Sequence, residues 1–506
     1  MMKNKMKAED YVKKILNATV YDVAIKTPLD DMTALGKKLG AKFMLKREDL
    51  QPVHSYKIRG AYNKMSQLSQ AELAKGVICA SAGNHAQGVA LSAKKLGVKA
   101  TIVMPVTTPE IKTSAVKAYG ANIVLHGDSY SDTYEELHRQ IKEHGYTYVA
   151  PYDDPEVIAG QGTVGKEILE QAPRTLTHVF VPIGGGGLAS GVAIYIKSVR
   201  PEVKVIGVEP VDSDCMYESI QAKKRVTLAA PGLFADGVCV KEPGEYTFEI
   251  CRKYLDGIVR VTTSETCAAI KDIFEATRAI CEPAGALALA AAKKTAKKGD
   301  VCACVVSGAN MNFDRIRFVA EETELGEKRE AILEVKIPEK PGSFKKFIAK
   351  IGKRAITEFN YRMSAADHAH IFVGMSVKNP DETKSLIQSL EKAGLATCDL
   401  SDDSIAKDHI RHMVGGHCMN AKNEVVYSFE FPERPGALMN FLTTLADRWN
   451  ISLFHYRNHG ADHGKVLAGF QVPPKERKDF ESALKKLGYT YINVSENPAY
   501  KYFLGC

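Results

Sequence analysis

The chain has 506 residues, 45% hydrophobic and 25% charged. That balance excludes a disordered chain, a collagen and a disulfide-dense mini-protein, and at about 100–200 residues per domain the length suggests roughly three domains. The formal charge of +8 is local: residues 1–100 carry 18 basic and 8 acidic side chains, the other 406 carry 50 and 52. No Lys/Arg-rich tail accompanies the excess, so it reads as solvated lysines on helix faces, with no nucleic-acid partner.

The N-terminus, MMKNKMKAEDYVKKIL, has no apolar core of signal-peptide type and already carries Glu9 and Asp10. From about Thr19 to Ser307, β-rich runs alternate with helical patterns. The expected strands are Ala41–Lys46, Gly76–Ala80, Lys99–Met104, Asn122–Leu125, His178–Ile183, Val203–Val208 and Val301–Val306. Helices are expected over Ser55–Leu68, Asn84–Leu96 and Pro109–Tyr119, among others. The alternation predicts an α/β fold with parallel sheets. Val77–Ser81, Thr101–Pro105 and Ile123–Leu125 are expected to be neighbours in one small sheet. Thr175–Ile196 is 22 residues without a formal charge, but Pro182 and the four glycines Gly184–Gly187 would break a membrane-spanning helix. A strand, a loop and a helix are expected instead, and no membrane association. The 11 cysteines are scattered with no CxxC pair. Reduced, buried thiols in a cytoplasmic protein are expected, with no zinc site, Cys302 and Cys304 sharing one strand face.

Glu321, Glu322, Glu324 and Glu327, with Gly326, read as an acidic, exposed connector. Beyond it the pattern becomes strand–turn–helix–strand and repeats. Ile337-Pro338-Glu339-Lys340-Pro341-Gly342-Ser343-Phe344 matches Phe431-Pro432-Glu433-Arg434-Pro435-Gly436-Ala437-Leu438 at an offset of 94, and Phe359-Asn360-Tyr361-Arg362 matches Phe454-His455-Tyr456-Arg457 at an offset of 95. A tandem duplication of a small α+β module follows. In each copy Pro-Gly is expected to end a strand and open a helix.

Four segments carry chemistry. In Ser55-Tyr56-Lys57-Ile58-Arg59-Gly60-Ala61, Lys57 by itself reads as a solvated helix lysine. A catalytic amine must be desolvated to be neutral and nucleophilic, and Tyr56, Ile58 and Ala61 permit that. Ser81-Ala82-Gly83-Asn84-His85-Ala86-Gln87-Gly88 follows a strand and opens a helix. It is either a ready anion site or a plain turn capped by Ser81 or Asn84. Gly184-Gly185-Gly186-Gly187-Leu188 again lies between strand and helix, where backbone N–H groups can approach a phosphate closely. It is neither GxGxxG nor GxxxxGK[ST], which weakens the dinucleotide and P-loop readings. Ser307-Gly308-Ala309-Asn310 ends a further strand. Ligands in open α/β sheets sit at such carboxyl ends, so three in one region suggest one shared site.

In this order and spacing, SYKIRGA, SAGNHAQG, GGGGL and SGAN resemble the threonine/serine dehydratase branch of the fold-type II pyridoxal-phosphate enzymes. The repeated tail, with FPERPGAL and FHYRNHG, resembles the paired ACT-like regulatory modules of biosynthetic threonine dehydratases. The likeness covers essentially the whole chain. It implies an α/β catalytic domain of tryptophan synthase β-like fold over 1–323, with a small subdomain inserted at about 54–150. Two α+β, ferredoxin-like modules over 330–405 and 424–500 complete it. It also implies pyridoxal 5′-phosphate as cofactor, L-threonine and L-serine as substrates, isoleucine as inhibitor and in some members valine as activator at the tail, and a homotetramer.

Residue by residue, Lys57 matches the lysine bonded to the cofactor aldehyde, and later the base for the Cα proton. Gly184, Gly185, Gly186 and Gly187 match the phosphate-binding loop, with Leu188 as the next backbone donor. Asn84 matches the side chain on the pyridoxal 3′-oxygen, and Ser307 the hydroxyl facing the pyridine nitrogen. Ser81 and His85 fall where the substrate carboxylate binds. Ala82 stands where serine racemases carry a second serine, which favours elimination over racemisation. Glu209 matches an acidic residue of a cation site in relatives. Cys215 occupies the place of the further acidic ligand, so no divalent metal is expected and a monovalent ion stays open. Tyr56 stands where relatives commonly have Phe.

Overall fold

A computed structural model describes residues 6–326, 330–338, 347, 350–352, 354, 356–361, 368–410, 423–432, 440–441, 444–445, 448–449, 451–457 and 463–504. The chain divides into two compact units, Met1–Asn312 and Phe313–Cys506.

The strands of the first unit are β1 (Leu29–Asp31), β2 (Lys42–Arg47), β3 (Val77–Ala80), β4 (Ala100–Met104), β5 (Asn122–Leu125), β6 (Thr147–Tyr148), β7 (His178–Pro182), β8 (Lys204–Pro210), β9 (Gly257–Val261) and β10 (Val301–Val306). They form two sheets. The larger runs β1-β2-β10-β7-β8-β9 and the smaller β5-β4-β3-β6. Every neighbour pair is parallel except β1 with β2. Strands covered on both faces read as continuous apolar runs, which is how β3 (VICA) and β10 (VCACVV) stand in the sequence. The expected small sheet is present, and all seven expected strands lie within two residues of their observed limits. The edge strand β1, the two-residue β6 and β9 were not anticipated. The larger core gathers Met44, Val179, Val181, Leu188, Val192, Ala303 and Val305; the smaller sheet has its own, including Met65, Cys79, Val89, Ala90 and Ile102. The uncharged stretch from Thr175 becomes β7, a glycine loop and the helix Gly187–Val199. Among the described residues no helix is long and apolar enough to cross a membrane.

Two expectations are corrected. Glu327 lies outside the described residues, and within them the acidic stretch is not a connector: Glu321, Glu322 and Glu324 lie in the helix Arg315–Gly326, which belongs to the second unit. Its buried residues Arg315, Val319, Glu322 and Thr323 recur at helical spacing, a periodicity that counting charges concealed. The helix packs on the first strand of that unit, and the two compact units divide ahead of it, after Asn312. Nor is the basic excess of residues 1–100 all solvated: Lys46, Arg47 and Arg59 are buried. Lys46 and Arg59 share Glu167, and Arg59 also grips Glu48, all four side chains 0% exposed.

The second unit is built from a repeat. Strands β11 (Glu330–Pro338), β12 (Ile356–Tyr361), β13 (His368–Ser376) and β14 (Thr397–Asp399) form an antiparallel sheet in the order β12-β13-β11-β14. β15 (Glu424–Pro432), β16 (Ile451–Arg457), β17 (His463–Gln471) and β18 (Thr490–Asn493) form the second, β16-β17-β15-β18. β11 and β15 differ by the offset of 94 at both ends, and β13 and β17 by 95. Even the side-chain clips repeat: Ser401 Oγ accepts from Ile332 N and Ser495 Oγ from Val426 N, each at 3.0 Å. Each sheet has its own core, and Ile332, Phe372, Leu400, Val426, Leu467 and Ala499 form a third, shared by the two modules. The Pro-Gly segments Pro341-Gly342 and Pro435-Gly436, and Arg362 of the repeat, lie outside the described residues.

Candidate active site

The site lies where the carboxyl ends of β3, β7 and β10 meet. Lys57 opens the helix Lys57–Ser66. The turn before it is pinned to the end of β10: Tyr56 N donates to Ser307 O at 3.1 Å, and Ala309 N to His54 O at 2.9 Å. His54 takes φ +53 to make the corner. Lys57 Nζ donates to Pro151 O at 2.9 Å. Loss of water lowers its pKa to about 8, against the opposing pull of Glu282. Two residues on, the Arg59 guanidinium clamps the helix to Glu48 and Glu167 on other elements.

After β3 the chain turns at Ser81, whose Oγ accepts from Gly83 N at 3.3 Å. Neither Ser81 nor Asn84 caps the helix Asn84–Leu96, which has no side-chain cap at Gly83. Its first N–H groups therefore stay available to an anion. Asn84 is held at both ends: Nδ2 donates to Glu282 Oε1 at 2.7 Å, and Oδ1 accepts from Asn310 Nδ2 at 2.6 Å. Asn310 Nδ2 also donates to Val53 O at 2.8 Å. His85 is buried, with Nε2 2.8 Å from Val149 O. A carbonyl only accepts, so Nε2 carries the proton and Nδ1 is a bare lone pair, without a partner among the described residues. Burial, aided by the Lys57 charge, lowers the ring's pKa to about 3, so it stays neutral.

The glycine loop is shaped by its neighbours. Gly186 takes φ +94, and a Cβ at Gly185 would stand 2.3 Å from the Tyr152 ring. The backbone N–H groups of Gly185, Gly186, Gly187 and Leu188 have no acceptor among the described residues. Four open donors at the start of a 13-residue helix make an anion cup. One segment ties the parts together: Val149 O meets His85, Pro151 O meets Lys57, and Tyr152 covers Gly185. Ser307 is buried at the end of β10 beside the Lys57 turn.

The motifs thus converge. The sequence reading named Asn310 only as part of SGAN and missed the other groups that brace them: Glu282, Tyr152 and Thr247, whose Oγ1 donates to Gly185 O at 2.6 Å. Glu282 had one signal, an acidic residue directly before Pro283 at the start of a buried apolar helix. Glu209 is buried, and burial raises its pKa to about 8. Its two oxygens accept from Met216 N at 2.9 Å and Tyr217 N at 2.8 Å, so it caps the helix Cys215–Ala222.

The residues fit a pyridoxal phosphate: a desolvated lysine for its aldehyde, an open donor cup for its phosphate, and an orphaned imidazole nitrogen beside them. The family described as pyridoxal-phosphate dependent enzyme matches residues 20–308, and the C-terminal regulatory domain of threonine dehydratase matches 321–410 and 415–504. The chain is 54% identical over 506 residues to the biosynthetic L-threonine dehydratase of Burkholderia multivorans, covering 99% of this chain and 100% of that one. It is 50% identical over 500 residues to that of Escherichia coli, covering 98% and 97%. Among solved structures, processed threonine deaminase isoform 2 from Solanum lycopersicum is similar at TM-score 0.61 and 46% identity, over 63% of this chain and 88% of that one. Maize serine racemase is similar at TM-score 0.58 and 32% identity, over 62% and 96%.

Proposed function

Because the chain belongs to the biosynthetic threonine dehydratases, pyridoxal-phosphate-dependent ammonia-lyases, we propose that Lys57, Asn84, Gly184, Gly185, Gly186, Gly187, Leu188 and Ser307 hold the cofactor and that Ser81 and His85 receive the substrate carboxylate. The reaction we assign, in keeping with the relatives' name of L-threonine dehydratase, is the dehydration and deamination of L-threonine to 2-oxobutanoate and ammonia, with L-serine as a second substrate giving pyruvate. The observation that carries the site assignment is the Lys57 amine, its pKa lowered to about 8 and hydrogen-bonded to Pro151 next to the residue that covers the glycine loop.

Bound there, pyridoxal phosphate supplies an electron sink for the charge that develops when the substrate Cα–H bond breaks. The chain's own groups do the rest. Lys57 Nζ would hold the aldehyde and, as a free neutral amine, would take the Cα proton as general base. Its desolvation supports this, since a solvated ammonium would hold its proton far too tightly at neutral pH. The N–H groups of Gly185 to Leu188 neutralise the phosphate. The open N–H groups at the start of helix Asn84–Leu96 take the carboxylate, with Ser81 beside them. His85, kept neutral, offers an acceptor without adding charge. Ser307 would face the ring nitrogen with a hydroxyl and not a carboxylate, a group that would not hold a proton there.

The second unit is a regulatory domain present in two copies. The ligand proposed for it is isoleucine as inhibitor, with valine as activator, in a cytoplasmic homotetramer. The test is a steady-state threonine assay with and without isoleucine, on the full chain and on a chain ending at residue 312. Inhibition of the full chain, with turnover retained and inhibition lost in the shorter one, is the expected result. A saturation curve that isoleucine leaves unchanged across millimolar concentrations would overturn the effector assignment.

A further inference from the structure

The glycine loop owes its open donors to what holds its carbonyls. Gly185 O accepts from Thr247 Oγ1 at 2.6 Å. Gly184 O faces Cys215 Sγ at 3.9 Å, and Gly186 O faces Cys251 Sγ at 4.0 Å. In a planar trans peptide the N–H of the next residue points opposite to the C=O. Each carbonyl drawn toward Cys215, Thr247 or Cys251 therefore turns the following N–H, of Gly185, Gly186 or Gly187, the other way. Gly186 O also takes the first helix bond, from Ser190 N at 2.9 Å, and Gly185 O a longer one from Gly244 N at 3.4 Å. Thiols are weak donors, so among the three side-chain holds the hydroxyl is the strongest.

Thr247 is itself fixed. It is buried and stands in the first turn of the helix Glu245–Tyr254. The turn is capped by Asp153, which accepts from Glu245 N at 2.8 Å, Tyr246 N at 2.9 Å and Thr247 N at 3.1 Å. Asp153 directly follows Tyr152, whose ring covers Gly185. The loop is thus braced by Tyr152 directly and by Asp153 through Thr247.

We propose that Thr247 is a positioning residue for the cofactor phosphate: its hydroxyl fixes the Gly185–Gly186 peptide so that the Gly186 N–H is aimed into the cup before the phosphate arrives. The proposal rests on the assignment of Gly184–Gly187 as the phosphate loop, and its test separates the two. The dissociation constants of pyridoxal phosphate and of pyridoxal, which lacks the phosphate, are measured for the full-length wild type, Thr247→Val and Thr247→Ser from the visible absorbance of the bound cofactor. The expected result is that Thr247→Val lowers the preference for the phosphorylated form by about tenfold, through a misaimed charge-assisted bond, while pyridoxal binds as before and Thr247→Ser restores the preference. A general packing defect would weaken both ligands alike and would overturn the proposal, as would an unchanged preference. A wild type with no preference for the phosphate would instead overturn the loop assignment. Should the valine protein not fold, Thr247→Cys, which keeps a weaker donor, carries the same comparison with a smaller expected fall.

Discussion

Asn84 donates from Nδ2 to Glu282 Oε1 at 2.7 Å, joining two residues 198 positions apart in the chain. Because Asn310 Nδ2 already serves Val53 O and Asn84 Oδ1, and a carboxylate only accepts, the Asn84 amide has one allowed orientation. One Asn84 N–H remains, the one the proposed site would give to the cofactor's 3′-oxygen. Glu282→Gln breaks this logic, since a Gln side chain can offer either an acceptor or a donor. The expected outcome is a shift in the absorption maximum of the bound cofactor and a roughly tenfold fall in kcat, the order of one hydrogen bond to a charged group. Glu282 also pulls the Lys57 pKa upward. In the cofactor-free variant the pH midpoint for chemical modification of Lys57 therefore moves below about 8. A midpoint that stays put or rises counts against the Glu282 role.

Lys57→Ala removes both the anchor and the base. Turnover of threonine, followed as 2-oxobutanoate, is expected to fall by about 10³ or more, in the range attributed to general acid–base catalysis. The visible absorbance of the covalently held cofactor disappears with it. Turnover within a few-fold of wild type would refute the assignment.

What the sequence made legible was local chemistry. The glycine loop, the SAGNHAQG turn and the apolar runs of β3, β7 and β10 each declare themselves within a few residues, because backbone conformation and two-sided burial leave a local signature. The module repeat was legible for the same reason, and its long strands β11 and β15, and β13 and β17, keep the offsets of 94 and 95. What stayed hidden was long-range. Glu282 reaches Asn84, and Thr247 reaches Gly185 across 62 positions, and no spacing rule connects them. Arg59 looked like one more positive charge until Glu48 and Glu167 closed around it. The short strands β1 and β6 take their structure from a neighbour's edge and not from their own three and two residues.

The Arg59 cluster makes a stability prediction. Arg59 bonds Glu48 through Nε and Nη2 at 2.7 and 2.8 Å, and Glu167 through Nη1 and Nη2 at 2.6 and 3.0 Å. Lys46 adds its own contact to Glu167. Removing one partner from a buried charge network leaves the others uncompensated, at a cost of about 3–5 kcal/mol. Arg59→Met is therefore expected to lower the unfolding midpoint sharply in a denaturant titration. Arg59→Lys, which keeps the charge but not the two-sided fork, should fall between. Both should also lower kcat, because the clamp sits two residues from Lys57. An Arg59→Met protein as stable as wild type would show that the cluster is not what holds the helix.

His85 makes a prediction about pH. Its folded value near 3 lies below the ordinary 6.5. Between those values the unfolded chain binds a proton that the folded protein refuses, so this residue's contribution is complete above about 6.5 and is lost as pH falls toward 3. In His85→Gln the amide nitrogen can still donate to Val149 O, but nothing titrates. Compared with wild type, the variant's unfolding midpoint should decline less steeply as pH drops through that window. The carboxylates common to both proteins cancel in the difference. Parallel midpoint curves for the two proteins would mean that His85 is protonated in the fold, and with it the neutral acceptor assigned to the substrate pocket would be lost.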